Sequence, residues 1–262
     1  MIFRICLLLA LSSCASEFSP PGSTSLERAN YLFQAGIGFY EAQQYPQSLE
    51  TFYQAWQIDK KNLVYKMHYA LALDAVGQHE KALATLEETC KASKNYPECD
   101  NNLSAFFIKA KRYEEAIAWA DKALSVPTYK SPDVAYRNKG LGLYFLQRYA
   151  ESEDAFKRSL RAAGRNASCL TRMYLSRSLL AQAEFEEAVR EARLARSMCE
   201  TRAEAHFWLA YCLFRTARIN EASAVLSELR DLSRDPETRS RAENMLSQLN
   251  REEALAEPAI IL

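Results

Sequence analysis

Small and apolar side chains return along this chain in a fixed phase. Ser48, Ala82, Ala116, Ser152, Ala188 and Ala222 are separated by 34, 34, 36, 36 and 34 residues. Twelve residues before each stands a second small residue, Gly36, Ala70, Ser104, Gly140, Ser176 or Ala210, and four after stands Phe52, Leu86, Ala120, Phe156, Ala192 or Leu226. Three before each stand Tyr45, His79, Tyr113, Tyr149, Phe185 and Ile219. Paired small residues let two helices approach closely where they cross. The mostly aromatic position marks where the first helix of each pair, helix A, turns into the second, helix B.

A 34-residue period is that of the tetratricopeptide repeat, a helical hairpin whose copies stack. The phase sets repeats at 29–62, 63–96, 97–130, 133–166, 169–202 and 203–236, and residues 237–250 read as a solvent-facing capping helix that covers the last apolar face. The predicted fold is therefore all-α, a right-handed superhelix (α-solenoid) of six helix pairs plus cap, forming one domain over residues 25–250. Thr24 with Glu27 three residues on makes a capping box that opens the first helix. Before the fourth repeat, Ser131 is the expected cap and Pro132 suits the first helical turn; Asp235-Pro236-Glu237 restarts the chain in the same way. Residues 251–262 are left as a C-terminal tail.

Composition agrees with helix. Only seven glycines and eight prolines occur in 262 residues, and 33 basic residues balance 33 acidic ones, so no nucleic-acid partner is expected. The first residues carry different information. Arg4 and the apolar stretch Ile5 to Ala10 form a signal too short for the roughly 20 residues that span a bilayer. Leu11-Ser12-Ser13-Cys14 then resembles the bacterial lipobox. That resemblance implies a signal peptide at 1–13, cleavage before Cys14, and diacylglycerol plus an N-acyl chain on Cys14, with no other cofactor. Ala15, rather than Asp, after the cysteine implies sorting to the outer membrane, with the domain facing the periplasm. Residues 14–24, rich in Pro and Ser, read as a tether.

Reactive groups are sparse. The chain has three histidines, no Gly-x-Ser-x-Gly elbow and no phosphate-binding glycine loop. His79-Glu80 begins like a zinc-protease helix, but Leu83 stands where the second ligand would be, and no metal is expected. Cys6 leaves with the signal and Cys14 is acylated, so five cysteines remain. Cys90 and Cys99 flank a short turn between helices, while Cys169 and Cys199 sit at neighbouring ends of one hairpin. Both pairs are candidate disulfides, each contributing ~3 kcal/mol. Cys212 reads as a small buried hydrophobe.

Helix A positions 2, 5, 9, 12 and 13 line the concave wall of such a superhelix. In repeats one and two this places Phe33, Ile37, Tyr40, Met67 and Leu71 along an apolar slot suited to a peptide. Phe207, Tyr211 and Phe214 form a second cluster in repeat six.

Lipobox, tether, six repeats and length together resemble the pilotin lipoproteins of type IV pili. The resemblance is strongest at Asn101-Asn102-Leu103, Lys111-Arg112-Tyr113-Glu114-Glu115-Ala116, Tyr129 in the lengthened turn, and Asn138-x-Gly140-Leu141. The chain departs from that pattern in its five mature cysteines and in Ala120 and Ala192 at usually bulky positions. The resemblance implies a monomeric, non-enzymatic scaffold, held by its lipid in the outer membrane, that binds secretin subunits and promotes their multimerisation. Its binding groove would include Phe33, Ile37, Tyr40, Met67, Leu71 and Asn101. The alternative is a lipoprotein adaptor of the same repeat class that organises peptidoglycan hydrolases; a cell-wall enzyme is disfavoured by the missing catalytic constellation.

Overall fold

In the computed structural model, residues 24–93 and 95–250 are described; Cys14, its signal and tether, and the tail 251–262 lie outside them. The described residues form thirteen α-helices and one 3-10 turn, with no strand. The A helices are α1 (Ser25–Glu41), α3 (Leu63–Ala75), α5 (Pro97–Lys109), α7 (Pro132–Phe145), α9 (Cys169–Ala181) and α11 (Ala203–Arg215). Their B partners are α2 (Tyr45–Ile58), α4 (His79–Ala92), α6 (Tyr113–Leu124), α8 (Tyr149–Ala163), α10 (Phe185–Met198) and α12 (Ile219–Leu232), and α13 (Pro236–Asn250) follows. The sequence reads as one domain, whereas the helices group into two compact units, α1–α4 and α5–α13.

One constraint recurs where A meets B. The residue eight into each repeat pairs with the one sixteen further on, and in four repeats their sizes compensate: Gly36 with Phe52, Gly140 with Phe156, Ala70 with Leu86 and Ala210 with Leu226, while Ser104 with Ala120 and Ser176 with Ala192 are both small. All of these are buried. A methyl group added at Gly36 or Gly140 would lie 2.6 Å from the ring of Phe52 or Phe156. Size matching therefore does not account for Ala120 and Ala192.

Serines on either helix also bond across the crossing. Ser48 Oγ donates to the Gly36 carbonyl at 2.9 Å, Ser104 to Ala116 at 2.7 Å, Ser152 to Gly140 at 2.9 Å and Ser176 to Ala188 at 2.7 Å. Each bond joins the two small residues that stand twelve apart. A buried hydroxyl usually costs stability unless paired; here it stitches A to B, each bond contributing about 1 kcal/mol.

The turns repeat as faithfully as the crossings. Gln43, Gly77, Lys111, Gln147, Ala183 and Ala217 all have φ between 57° and 84°, and in each case the next residue's N–H bonds back to a carbonyl five residues earlier, at 2.8–2.9 Å. This is the left-handed helix stop that reverses A into B. The mostly aromatic position expected beyond it is the first residue of every B helix, but it is half-buried or exposed rather than core.

Caps differ in detail from expectation. Thr24 and Glu27 form the capping box, with the Thr24 N–H donating to Glu27 at 2.7 Å. Ser131, however, makes no side-chain cap bond, and α7 begins on Pro132, whose missing N–H reduces the need for one. Asp235 does cap α13, accepting from Thr238 N–H at 2.9 Å. The two residues added before α7 bury Tyr129 against Ala123 and Ala135. Burial, with the nearby Glu98 and Asp133 carboxylates, pushes its phenol up to about 12.

Two predictions follow from this packing. Gly140→Ala should destabilise the protein by roughly 1–3 kcal/mol despite alanine's better helix propensity, and adding Phe156→Leu should recover part of the loss, because the pair then matches Ala70 and Leu86. Gly38→Ala, where an added methyl meets nothing within 4 Å, should stabilise by about 0.5–1 kcal/mol. Strict additivity in a urea-unfolding cycle would contradict the size-matching account.

Burial holds the His68 and His206 imidazoles below the usual value of 6.5, so the unfolded chain takes up protons that the fold resists. Their favourable balance is present above 6.5 and is lost as pH falls below it. The melting temperature should therefore drop less between pH 7 and 5 in a His68→Leu/His206→Leu variant than in the unaltered chain; equal drops would contradict the assignment.

Candidate functional site

Within the first unit, the apolar slot is narrower than the repeat register implies. Phe33 is a core residue and not a groove residue: its ring lies 4.8 Å from Tyr65, 4.8 Å from His68 and 5.6 Å from Phe52. The reason is the aromatic content of α2 and α3, which supplies enough ring surface to close over it. Met67 is buried as well, whereas Ile37 and Leu71 are half-buried. Tyr40 is 37% exposed and packs edge-on against Tyr45, with ring centroids 5.3 Å apart. Of the predicted slot, the surface that α1 and α3 still offer is thus the exposed Tyr40 with the half-buried Ile37 and Leu71.

Asn101 is likewise consumed inside the second unit. Asn138 Nδ2 donates to its side-chain oxygen at 3.0 Å and to its carbonyl at 3.3 Å, tying α5 to α7. A buried amide needs such partners, and each of these two residues supplies the other's. Next to it on the same helix, Asp100 is bound by Lys122 at 2.8 Å, and Lys122 lies 4.3 Å over the Trp119 ring.

In the second unit the A helices meet in succession, α5 with α7, α7 with α9 and α9 with α11, so they form a continuous layer. Arg177 on α9 is held in that layer by three rings, Trp208 at 4.7 Å and Tyr144 and Tyr174 at 5.2 Å. Trp208 in turn donates its indole N–H to Ser176 at 3.0 Å. Two turns along α11, Arg215 is exposed and donates to the Tyr211 hydroxyl at 3.0 Å. The second apolar cluster is mostly closed: Phe207 and Tyr211 are buried, and Arg241 of α13 lies 4.4 Å over the Phe207 ring.

The cysteines are structural in position. Cys169, at the start of α9, is bonded to Cys199, which follows α10, so the open end of that hairpin is closed. Cys90 and Cys99 are also disulfide-bonded. Cys212 is buried beside Ser176, and burial pushes its thiol up to about 12, far from the thiolate that nucleophilic chemistry needs. His79 is exposed and bound to Asp74 at 2.5 Å. Among the described residues no group of His, Cys, Asp or Glu could hold a metal ion, and no helix is long and apolar enough to cross a membrane. What the surface offers chemically is recognition, through exposed aromatic, aliphatic and guanidinium groups on A helices.

No protein-family model matches the chain, and no curated protein sequence matches it. Solved structures do. The chain is similar to PilW, described as a widely conserved type IV pilus biogenesis factor, with a TM-score of 0.75 and 21% identity over 82% of this chain and 98% of that one. It is similar to PilF of Pseudomonas aeruginosa with a TM-score of 0.72 and 17% identity, over 85% and 100% of the respective chains. A tetratricopeptide repeat protein from Parabacteroides merdae matches with a TM-score of 0.66 and 14% identity, over 86% and 87%. The fold is therefore that of the tetratricopeptide repeat.

Proposed function

We propose that this protein is a lipid-anchored pilotin: it binds secretin subunits of a type IV pilus, confines them to the outer membrane through Cys14, and promotes their assembly into multimers. The observation that carries this reading is the likeness to PilW and PilF, two proteins whose entire lengths, to within 2%, are matched by this chain. The lipobox at Leu11 to Cys14 and the lengthened turn that buries Tyr129 support it.

The physical mechanism requires no reaction. Two or more acyl chains on Cys14 give a stable anchor. Subunits held by an anchored scaffold diffuse in a plane, and their effective concentration rises without any new contact between them. Tyr40, Ile37 and Leu71 provide an apolar surface for part of that interaction, with an aromatic side chain at its most exposed point.

Deleting the gene should abolish secretin multimers on semi-native gels. Cys14→Ser should leave a folded protein that no longer fractionates with the outer membrane, with multimers lost or misplaced. Tyr40→Glu, which alters an exposed position, should reduce multimers at unchanged melting temperature. Undiminished secretin multimers in the deletion strain would overturn the reading, and an unchanged level with Tyr40→Glu would remove the α1–α3 surface from it.

A further inference from the structure

The first hairpin has a closed end and an open one. The left-handed turn at Gln43 reverses α1 into α2, so the start of α1 at Ser25 and the end of α2 at Ile58 lie together at the other end, and residues 59–62 lead from there into α3 at Leu63. At that open end two large apolar side chains face solvent, Leu26 at 62% and Val64 at 38% exposure. The same short segments carry Arg28, Lys60 and Lys61, which are exposed and make no ion pair among the described residues. Their two carboxylates are held by local N–H groups, Glu27 by Thr24 at 2.7 Å and Asp59 by Lys61 at 3.3 Å. The neighbouring charges of α3 and of the end of α4 are paired, Lys66 with Glu88 at 2.6 Å and Lys91 with Glu87 at 2.9 Å.

Three cations against two carboxylates, beside exposed aliphatic groups, are the chemistry of a phospholipid headgroup boundary, where basic groups meet phosphates and apolar side chains reach the acyl region below. The chain also enters the fold at this end. Thr24, the cap of α1, lies ten residues after Cys14, a span that cannot exceed about 35 Å even fully extended. A lipid on Cys14 therefore keeps the open end within reach of the bilayer at all times, so a weak surface contact there needs no affinity of its own to be populated.

We propose that the open end of the first hairpin rests on the membrane, with Leu26 and Val64 entering the headgroup boundary and Arg28, Lys60 and Lys61 on the phosphates of anionic lipids. This inference rests on the reading of Cys14 as the acylated residue and adds which surface of the folded unit the membrane meets. Tyr40 stands fourteen residues along α1 from Leu26, about 21 Å at 1.5 Å per residue, so this contact holds the exposed Tyr40 clear of the lipid and open to a partner.

The test uses the acylated protein, reconstituted into equimolar phosphatidylethanolamine and phosphatidylglycerol vesicles whose brominated acyl chains quench tryptophan emission on contact. Tryptophan is added by Leu26→Trp or Val64→Trp at the open end, and by Lys81→Trp at an exposed position near the closed end of the second hairpin. Emission gained at positions 26 and 64 should be blue-shifted and quenched by the brominated lipid, and that gained at 81 should be neither. Position 64 is the more telling, because it is far from Cys14 along the chain. Adding Lys60→Gln and Lys61→Gln to Val64→Trp should lower the ratio of docked to free protein about tenfold or more, and raised salt should act in the same direction. Quenching at 64 no stronger than at 81, or unchanged without the two lysines, would overturn the proposal. So would a blue shift at 64 that follows protein concentration in lipid-free detergent, because the end would then serve a second copy of the chain. Absence of lipid on Cys14 by intact mass would sink the anchored reading and this inference with it, whereas an acylated protein that fails the comparison sinks this inference alone.

Discussion

Everything in this protein depends on how closely the two helices of each pair approach at their crossing. Close-packed interiors tolerate neither overlap nor void, so the volume at one crossing must be shared between the two helices. Of the six crossings, four meet that condition by size matching, glycine with phenylalanine or alanine with leucine, and two pair serine with alanine. Four of them add a buried serine-to-carbonyl bond between the residues twelve apart. The same geometry is thus reached through different side chains, and for that reason repeats of low mutual identity still superimpose in phase.

Once the crossings and the left-handed turns are set, the A helices of the second unit are placed side by side, and their side chains become neighbours. Arg177, Trp208 and Tyr211 come from two helices about one repeat apart in sequence, yet these buried side chains pack together. Aromatic rings around a guanidinium tolerate its burial better than aliphatic side chains would. The disulfide between Cys169 and Cys199 closes the open end of the hairpin that carries Arg177, which reduces the freedom of the unfolded chain at that segment.

The repeat register was legible because it rests on backbone approach, which only small residues permit, and the limits of α3, α5, α9 and α11 coincide with the starts of their repeats. Burial of individual side chains was harder to read. A register position says which way a residue leaves its helix, but it does not say what its neighbours supply. Phe33 leaves toward the inner wall and is nonetheless absorbed by Tyr65, His68 and Phe52. Asn101 does the same and is taken by Asn138, 37 residues away, a pairing that no local pattern announces.

The proposed pilotin role places secretin subunits on A-helix surfaces next to a lipid anchor. Its most direct test is site-specific photo-crosslinking in living cells, with a photoreactive residue at Tyr40 or Arg215 on the A helices and, for comparison, at Leu194 on the exposed side of α10. Secretin crosslinks from the first two positions and not from the third are the predicted result. Crosslinks to secretin from Leu194 alone, or to peptidoglycan hydrolases in place of secretin, would contradict it.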